Sequence, residues 1–135
     1  MNLTGVCCVL PTPFHAGGDI DHESLGRAVD LALRAEVDGV TALGATSEVG
    51  RLSDRERAAV VATVVGRVGR RVKVVVGTSA DGVRRCIELS REAKAQGASA
   101  IMVSPPRLSR VNSETVISHY KAIAAVVSFA AKNKD

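Results

Sequence analysis

Apolar residues in this chain alternate between two textures. Short continuous runs fall at residues 6–10, 40–43, 72–76 and 100–103, and after each run apolar positions recur three and four apart. The first texture predicts buried strands, the second amphipathic helices. The runs begin at intervals of roughly thirty residues, the length of one strand–helix unit. In the first helical stretch Leu25, Ala28, Val29 and Ala32 make one face. The second opens with Ser53-Asp54-Arg55-Glu56, which reads as a capping box, and continues with the stripe Val60, Val61, Val64, Val65 and Val68. Valine is a mediocre helix former, so packing must hold this helix. The third is expected over about 81–96, with Gly97 in the left-handed position that ends it. The fourth starts near Asn112 or Ser113 and carries Val116, Ile117, Tyr120, Ile123, Ala124 and Val127. Beyond it the pattern stops, and residues 128–135 read as a disordered polar tail.

The fold class is therefore α/β, a (βα)4 array on a parallel sheet. Periodicity leaves two architectures open, a small doubly wound sheet and half of an eight-stranded barrel. Composition fits both: 46% hydrophobic, with no Trp, one Tyr and two Phe, a core of small branched side chains such as strands covered by helices need.

Charge excludes more than it suggests. The net charge of +4 gathers at Arg67, Arg70, Arg71, Arg84 and Arg85 without interleaved aromatics, so a nucleic-acid surface is not expected and solvated helix ends are. Cys7 and Cys8 are strand neighbours that face opposite ways and make a poor metal pair; with Cys86 they are expected as small buried thiols in a reducing cytoplasm. No metal or cofactor is expected. No signal peptide is read at the start and no apolar run approaches a membrane span. His15, His22 and His119 are scattered, and surface positions are expected for all three.

In either architecture ligands bind at the carboxyl ends of the strands. The segments there are Pro11-Thr12-Pro13-Phe14, Gly44-Ala45-Thr46-Ser47-Glu48, Gly77-Thr78-Ser79 and Ser104-Pro105-Pro106. In the second, a glycine followed by small hydroxyl residues lets amides and a hydroxyl converge on an anion, although an ordinary strand-to-loop turn would look the same. A phosphate-binding doubly wound domain would carry a Gly-rich loop after strand one, where Pro11-Thr12-Pro13 stands instead.

Together these segments resemble the family of dihydrodipicolinate synthase and N-acetylneuraminate lyase. The family's Gly-Ser/Thr-Thr-Gly-Glu motif is met by Gly44-Ala45-Thr46-Ser47-Glu48, followed by Leu52-Ser53 and Glu56-Arg57. Its Thr-Pro-Phe turn is met by Thr12-Pro13-Phe14, its Gly-x-Ile-Asp by Gly18-Asp19-Ile20-Asp21, and its third-strand Gly-Thr by Gly77-Thr78. A helix ending Ala-x-x-x-Gly-Ala matches 93–98, and the likeness runs in register from about Gly5 to Val127.

The resemblance implies a TIM barrel, of which residues 1–127 are the N-terminal half, and a Schiff base between a strand-six lysine and pyruvate or another 2-oxo acid. It implies carboxylate binding by Thr46, with the Ser47 N–H beside it. Three positions depart from the family: Ala45 stands at the proton-relay hydroxyl, Ser47 replaces a glycine of possible positive φ, and Pro105-Pro106 replaces a tyrosine pair. These favour a divergent lyase or aldolase over the synthase itself. The relay tyrosine and the lysine would lie beyond this chain, so no catalytic residue is assigned within it and the chain alone is expected to be inactive. Its open sheet edges imply a homo-oligomer. The alternative is a non-catalytic small-anion module using Thr46, Ser47, Thr78 and Ser79.

Overall fold

The computed structural model describes residues 4–108 and 112–127. Four βα units follow one another: β1 Cys7–Val9, α1 His22–Arg34, β2 Gly39–Ala42, α2 Asp54–Val68, β3 Lys73–Gly77, α3 Val83–Ala95, β4 Ala100–Met102 and α4 Ser113–Val126. The sheet is wholly parallel with spatial order β1-β2-β3-β4, in registers Cys7↔Gly39, Gly39↔Lys73 and Val75↔Ala100. The four expected strands are all present, within a residue or two at each end. The polar tail expected at 128–135 lies outside the described residues.

Alternation along the strands divides the sheet into two faces. Val40, Ala42, Val74 and Val76 turn outward into the main core, where Leu25 and Val29 of α1 and Val60, Val61, Val64 and Val68 of α2 cover them. Burying one such side chain contributes about 1.5–3 kcal/mol, and this stabilisation is what makes a valine-rich helix tenable. The other face carries Cys7, Val9, Thr41, Val75, Gly77 and Met102. Here Val9 and Met102 remain 43% and 42% exposed.

Helix ends follow the local chemistry. Ser53 and Glu56 form the capping box, the Ser53 N–H donating to Glu56 Oε2 at 2.7 Å and the Glu56 N–H to Ser53 Oγ at 3.3 Å. The Ser53 hydroxyl, which donates to Glu56 Oε2 at 2.7 Å, and after it the Ser53 N–H hold the Glu56 carboxyl below its ordinary range. Helix α3 begins two residues later than the pattern suggested. The Asp81 carboxylate accepts from the Arg107 N–H at 2.8 Å, and Gly82 becomes the N-cap. Gly97 takes φ +103°, as expected. Helices α1 and α2 are tied by the Arg67 guanidinium, whose Nε donates to Asp30 Oδ1 at 2.8 Å and whose Nη2 donates to Oδ2.

Two expectations from the sequence are corrected. His119 is not a surface residue: it is 6% exposed on the inner side of α4, near the small cluster of Cys86, Ile123 and Val127. Nor are all the cysteines buried. Cys86 is, but Cys7 is exposed because β1 is an edge strand with no neighbour beyond it among the described residues.

Candidate functional site

The segment Gly44–Glu48 leaves β2 through a sharp backbone turn. Leu43 takes φ +56°, a left-handed conformation that costs a non-glycine residue roughly 1–2 kcal/mol. Surrounding contacts impose it. The Leu43 carbonyl lies directly over Gly77, and a Cβ at position 77 would sit 1.9 Å from that oxygen. Gly77 is thus the point where β3 lets the β2 loop come close. Ala45–Ser47 then forms one turn of 3-10 helix, opened by Gly44 with no side-chain cap, and Glu48 follows at φ +51°.

The left-handed residue is therefore Glu48 rather than Ser47, which explains how a serine can occupy the position of the family's glycine. Ser47 is 1% exposed, and its Oγ donates to the Leu10 carbonyl at 2.6 Å. Thr12 Oγ1 in turn donates to the Ser47 carbonyl at 2.8 Å. These reciprocal bonds lock the ends of β1 and β2 together. The Ser47 N–H closes the 3-10 turn on the Gly44 carbonyl at 3.1 Å. Thr46, by contrast, is exposed, and no hydrogen bond of its hydroxyl is seen among the described residues. Ala45 is exposed beside it.

Beyond the loop, Glu48 pairs with Arg51 at 3.2 Å, and Arg57 Nη2 donates to the Val49 carbonyl at 3.0 Å. Sequence reasoning missed both the Ser47 hydroxyl pin and this use of Arg57. A serine at a glycine position was the available signal for the first, and the second carried none.

The remaining strand-end hydroxyls are committed elsewhere. Thr78 is 2% exposed and shares a 2.8 Å hydrogen bond with Ser90 Oγ, which donates to the Cys86 carbonyl at 2.7 Å. Ser79 Oγ accepts from the Ser104 N–H at 2.8 Å. Of the four hydroxyls considered for an anion module, Thr46 alone faces solvent without such a bond. Burial pushes the Cys86 thiol up, against weaker opposing hydrogen bonds from Ala80, Ser90 and Thr78, so it is a poor nucleophile.

No three His, Cys, Asp or Glu side chains converge as metal ligands among the described residues, and none of the described helices is long and apolar enough to cross a membrane. A cavity of about 660 Å³ opens between Asp38, Arg70, Lys73, Gln96 and Ser99. It lies at the amino ends of the strands, away from the Thr46 rim.

Fold and rim together define the class: a four-unit portion of a (β/α)8 barrel, with its ligand-facing loops at the carboxyl ends of the strands. The family follows from comparison. The profile of the dihydrodipicolinate synthetase family matches residues 2–130, and the chain belongs to that family. The 4-hydroxy-tetrahydrodipicolinate synthase of Stenotrophomonas maltophilia (strain K279a) is 38% identical over 124 residues, which are 92% of this chain and 42% of the relative. The synthase of the same description from Methylacidiphilum fumariolicum SolV superposes with a TM-score of 0.89 at 29% identity, covering 93% of this chain and 41% of that one. N-acetylneuraminate lyase from Fusobacterium nucleatum shares the fold, with a TM-score of 0.85 at 18% identity over 91% of this chain and 43% of its own. The chain thus spans about two-fifths of the length of the curated relatives it matches.

Proposed function

We propose that the Gly44–Glu48 loop holds the carboxylate of pyruvate or another small 2-oxo acid, within the chemistry of a Schiff-base lyase. The observation that supports this reading is the contrast along the rim. Thr46 offers a solvent-facing hydroxyl on a backbone pinned by Ser47, Thr12 and the Leu43–Gly77 contact. A donor fixed in place before the ligand arrives loses little on binding. Thr46 Oγ1 donates to the carboxylate, and the Ser47 N–H lies beside it, shared with the Gly44 carbonyl.

Turnover needs an amine with a depressed pKa in a dry pocket. Lys73 is the first residue of β3, at the opposite end of the strand from the rim, and Lys94 and Lys121 lie on the outer helices. None of these three meets a ligand held at Thr46, so the reading assigns no nucleophile among the described residues and expects binding without turnover from them. Ala45 further removes the hydroxyl relay, which favours a divergent lyase over the synthase reaction. The three free thiols fit a reducing, cytoplasmic setting.

Two measurements test the reading. Amide chemical shifts of residues 44–48 should move on titration with pyruvate and stay still in Thr46→Val; immobile amides in the unsubstituted chain would refute the site. Intact-mass spectrometry after pyruvate and borohydride should show no adduct. A stoichiometric adduct would mean that a lysine of this chain is the nucleophile after all.

A further inference from the structure

We infer that the cavity at the amino ends of the strands binds a small phosphate monoester that carries a free hydroxyl. Arg70 takes the phosphate, and Gln96 Oε1 accepts from the hydroxyl. The inference rests on this cavity and is independent of the carboxylate reading at the other end of the sheet.

The middle of the array builds the cavity. Its walls are three successive helix-to-strand turns, with Asp38 before β2, Arg70 and Lys73 between α2 and β3, and Gln96 and Ser99 between α3 and β4. Val65, Val68, Val72 and Val74 give it an apolar side, against which a short carbon skeleton can lie. Its volume of about 660 Å³ falls within the roughly 300–1,000 Å³ of small-molecule sites and far exceeds the roughly 30 Å³ share of one water.

Charge selects an anion. Arg70, Arg71 and Lys73 line the cavity with one carboxylate, Asp38, whose Oδ2 already accepts from the Val6 N–H at 2.7 Å. The carboxyl end of a helix ordinarily repels an anion, but here its carbonyls are taken. Val65 O accepts from the Gly69 N–H at 3.1 Å. The Arg71 guanidinium donates through Nε to the Val68 carbonyl at 2.9 Å and through Nη2 to the Arg67 carbonyl. At the end of α3 the Glu92 and Lys94 carbonyls accept from the Gln96 and Gly97 N–H groups, each at 3.0 Å. Arg71 is thus spent on the helix end. The exposed guanidinium of Arg70 has no hydrogen bond or ion pair among the described residues. This surplus of cations suits the nearly two negative charges of a phosphate monoester at neutral pH better than the single charge of a carboxylate.

Hydrogen bonding adds the hydroxyl. Gln96 lines the cavity, and its Oε1 is buried without a partner among the described residues. Leaving an acceptor in that state is unfavourable, and a ligand donor relieves it. Ser99 Oγ accepts from the Val74 N–H at 3.1 Å, which leaves its own proton for a phosphate oxygen. Free phosphate answers Arg70 and Ser99; a hydroxyl a few atoms away answers Gln96 as well.

NMR on the full chain, titrated with glycerol phosphate, inorganic phosphate and glycerol, tests the site. Glycerol phosphate should shift the amides of residues 69–73 and 96–99 and bind about fivefold more tightly than inorganic phosphate. Glycerol should shift nothing. Arg70→Gln should weaken glycerol phosphate by about tenfold or more, and Gln96→Glu, which sets a like charge beside the ligand, by at least about as much. Thr46→Val should leave this binding unchanged. No shift in the two turns with either phosphate compound would overturn the inference. So would equal affinity for the two, which would reduce the site to a patch for free phosphate. Shifts of the same size around Arg84 and Arg85, at the other end of α3, would overturn it too, as diffuse attraction between charges. Circular dichroism checks each variant. If Gln96→Glu fails to fold, the ratio of the two affinities in the unsubstituted chain decides instead.

Discussion

Replacing Gly77 by alanine tests whether the β2 loop is held by its approach to β3. The added Cβ would stand 1.9 Å from the Leu43 carbonyl oxygen and 2.8 Å from its carbon. An ordinary carbon–oxygen contact needs about 3.3 Å, so the loop or the strand must yield by roughly 1.4 Å. The obstacle is backbone and cannot rotate aside. Overpacking of this kind costs about 1–3 kcal/mol, and the upper end applies where no side chain can give way. Against it stands a gain of about 0.4–1 kcal/mol from a less flexible unfolded chain. The net expectation is a loss of about 2–3 kcal/mol. With an unfolding entropy near 2.1 cal/mol/K per residue, that lowers Tm by roughly 7–10 °C. Thermal and urea unfolding followed by circular dichroism, at one protein concentration, measure it. Gly66→Ala is the matched control. Gly66 lies within α2 with open space where its Cβ would go, and the same substitution there should stabilise by about 0.5–1 kcal/mol. A Gly77→Ala variant as stable as wild type, or shifted in the same direction as Gly66→Ala, would refute the close approach and with it the account of how the loop is fixed.

Ser47→Ala removes the buried bond to the Leu10 carbonyl and should cost about 1–3 kcal/mol. Ser47→Gly should cost more, by the added backbone entropy of glycine, and denaturant titration of both variants checks the order. The Asp30 carboxyl is held below its ordinary range, first by the Arg67 hydrogen bond. Its pairing therefore contributes stability above about pH 4 and loses it as pH falls further. In Asp30→Asn the decline of stability below that pH should be shallower, as acid titration of the two proteins would show; an unchanged slope would refute the linkage. Iodoacetamide should alkylate Cys7 readily and Cys86 only on unfolding, since burial both covers and raises the Cys86 thiol. Timed mass spectrometry separates the two, and equal rates would contradict the packing of α3.

How much of this was legible beforehand depends on the range of the interaction involved. The four strands, the Ser53–Glu56 box, the start of the fourth helix near Asn112 or Ser113 and the left-handed Gly97 follow from patterns within a few residues. Such patterns carry their physics with them: period, side-chain branching and local hydrogen bonds. The motif Gly44-Ala45-Thr46-Ser47-Glu48 also marked the rim, because its residue types and order are written along one segment. The sequence could not say which of its hydroxyls remain exposed. Thr46 and Ser47 are neighbours of like chemistry, yet one faces solvent and the other is spent on Leu10, thirty-seven positions away. Thr78 is turned inward by Ser90 on the following helix, and Cys7 lies open because it is on an edge strand. His119 is buried because α4 turns it inward. The sequence by itself determined the elements and the strand end at which the family motif stands. Which side chains are free to bind was decided by tertiary contacts, because a hydroxyl's role depends on what packs against it.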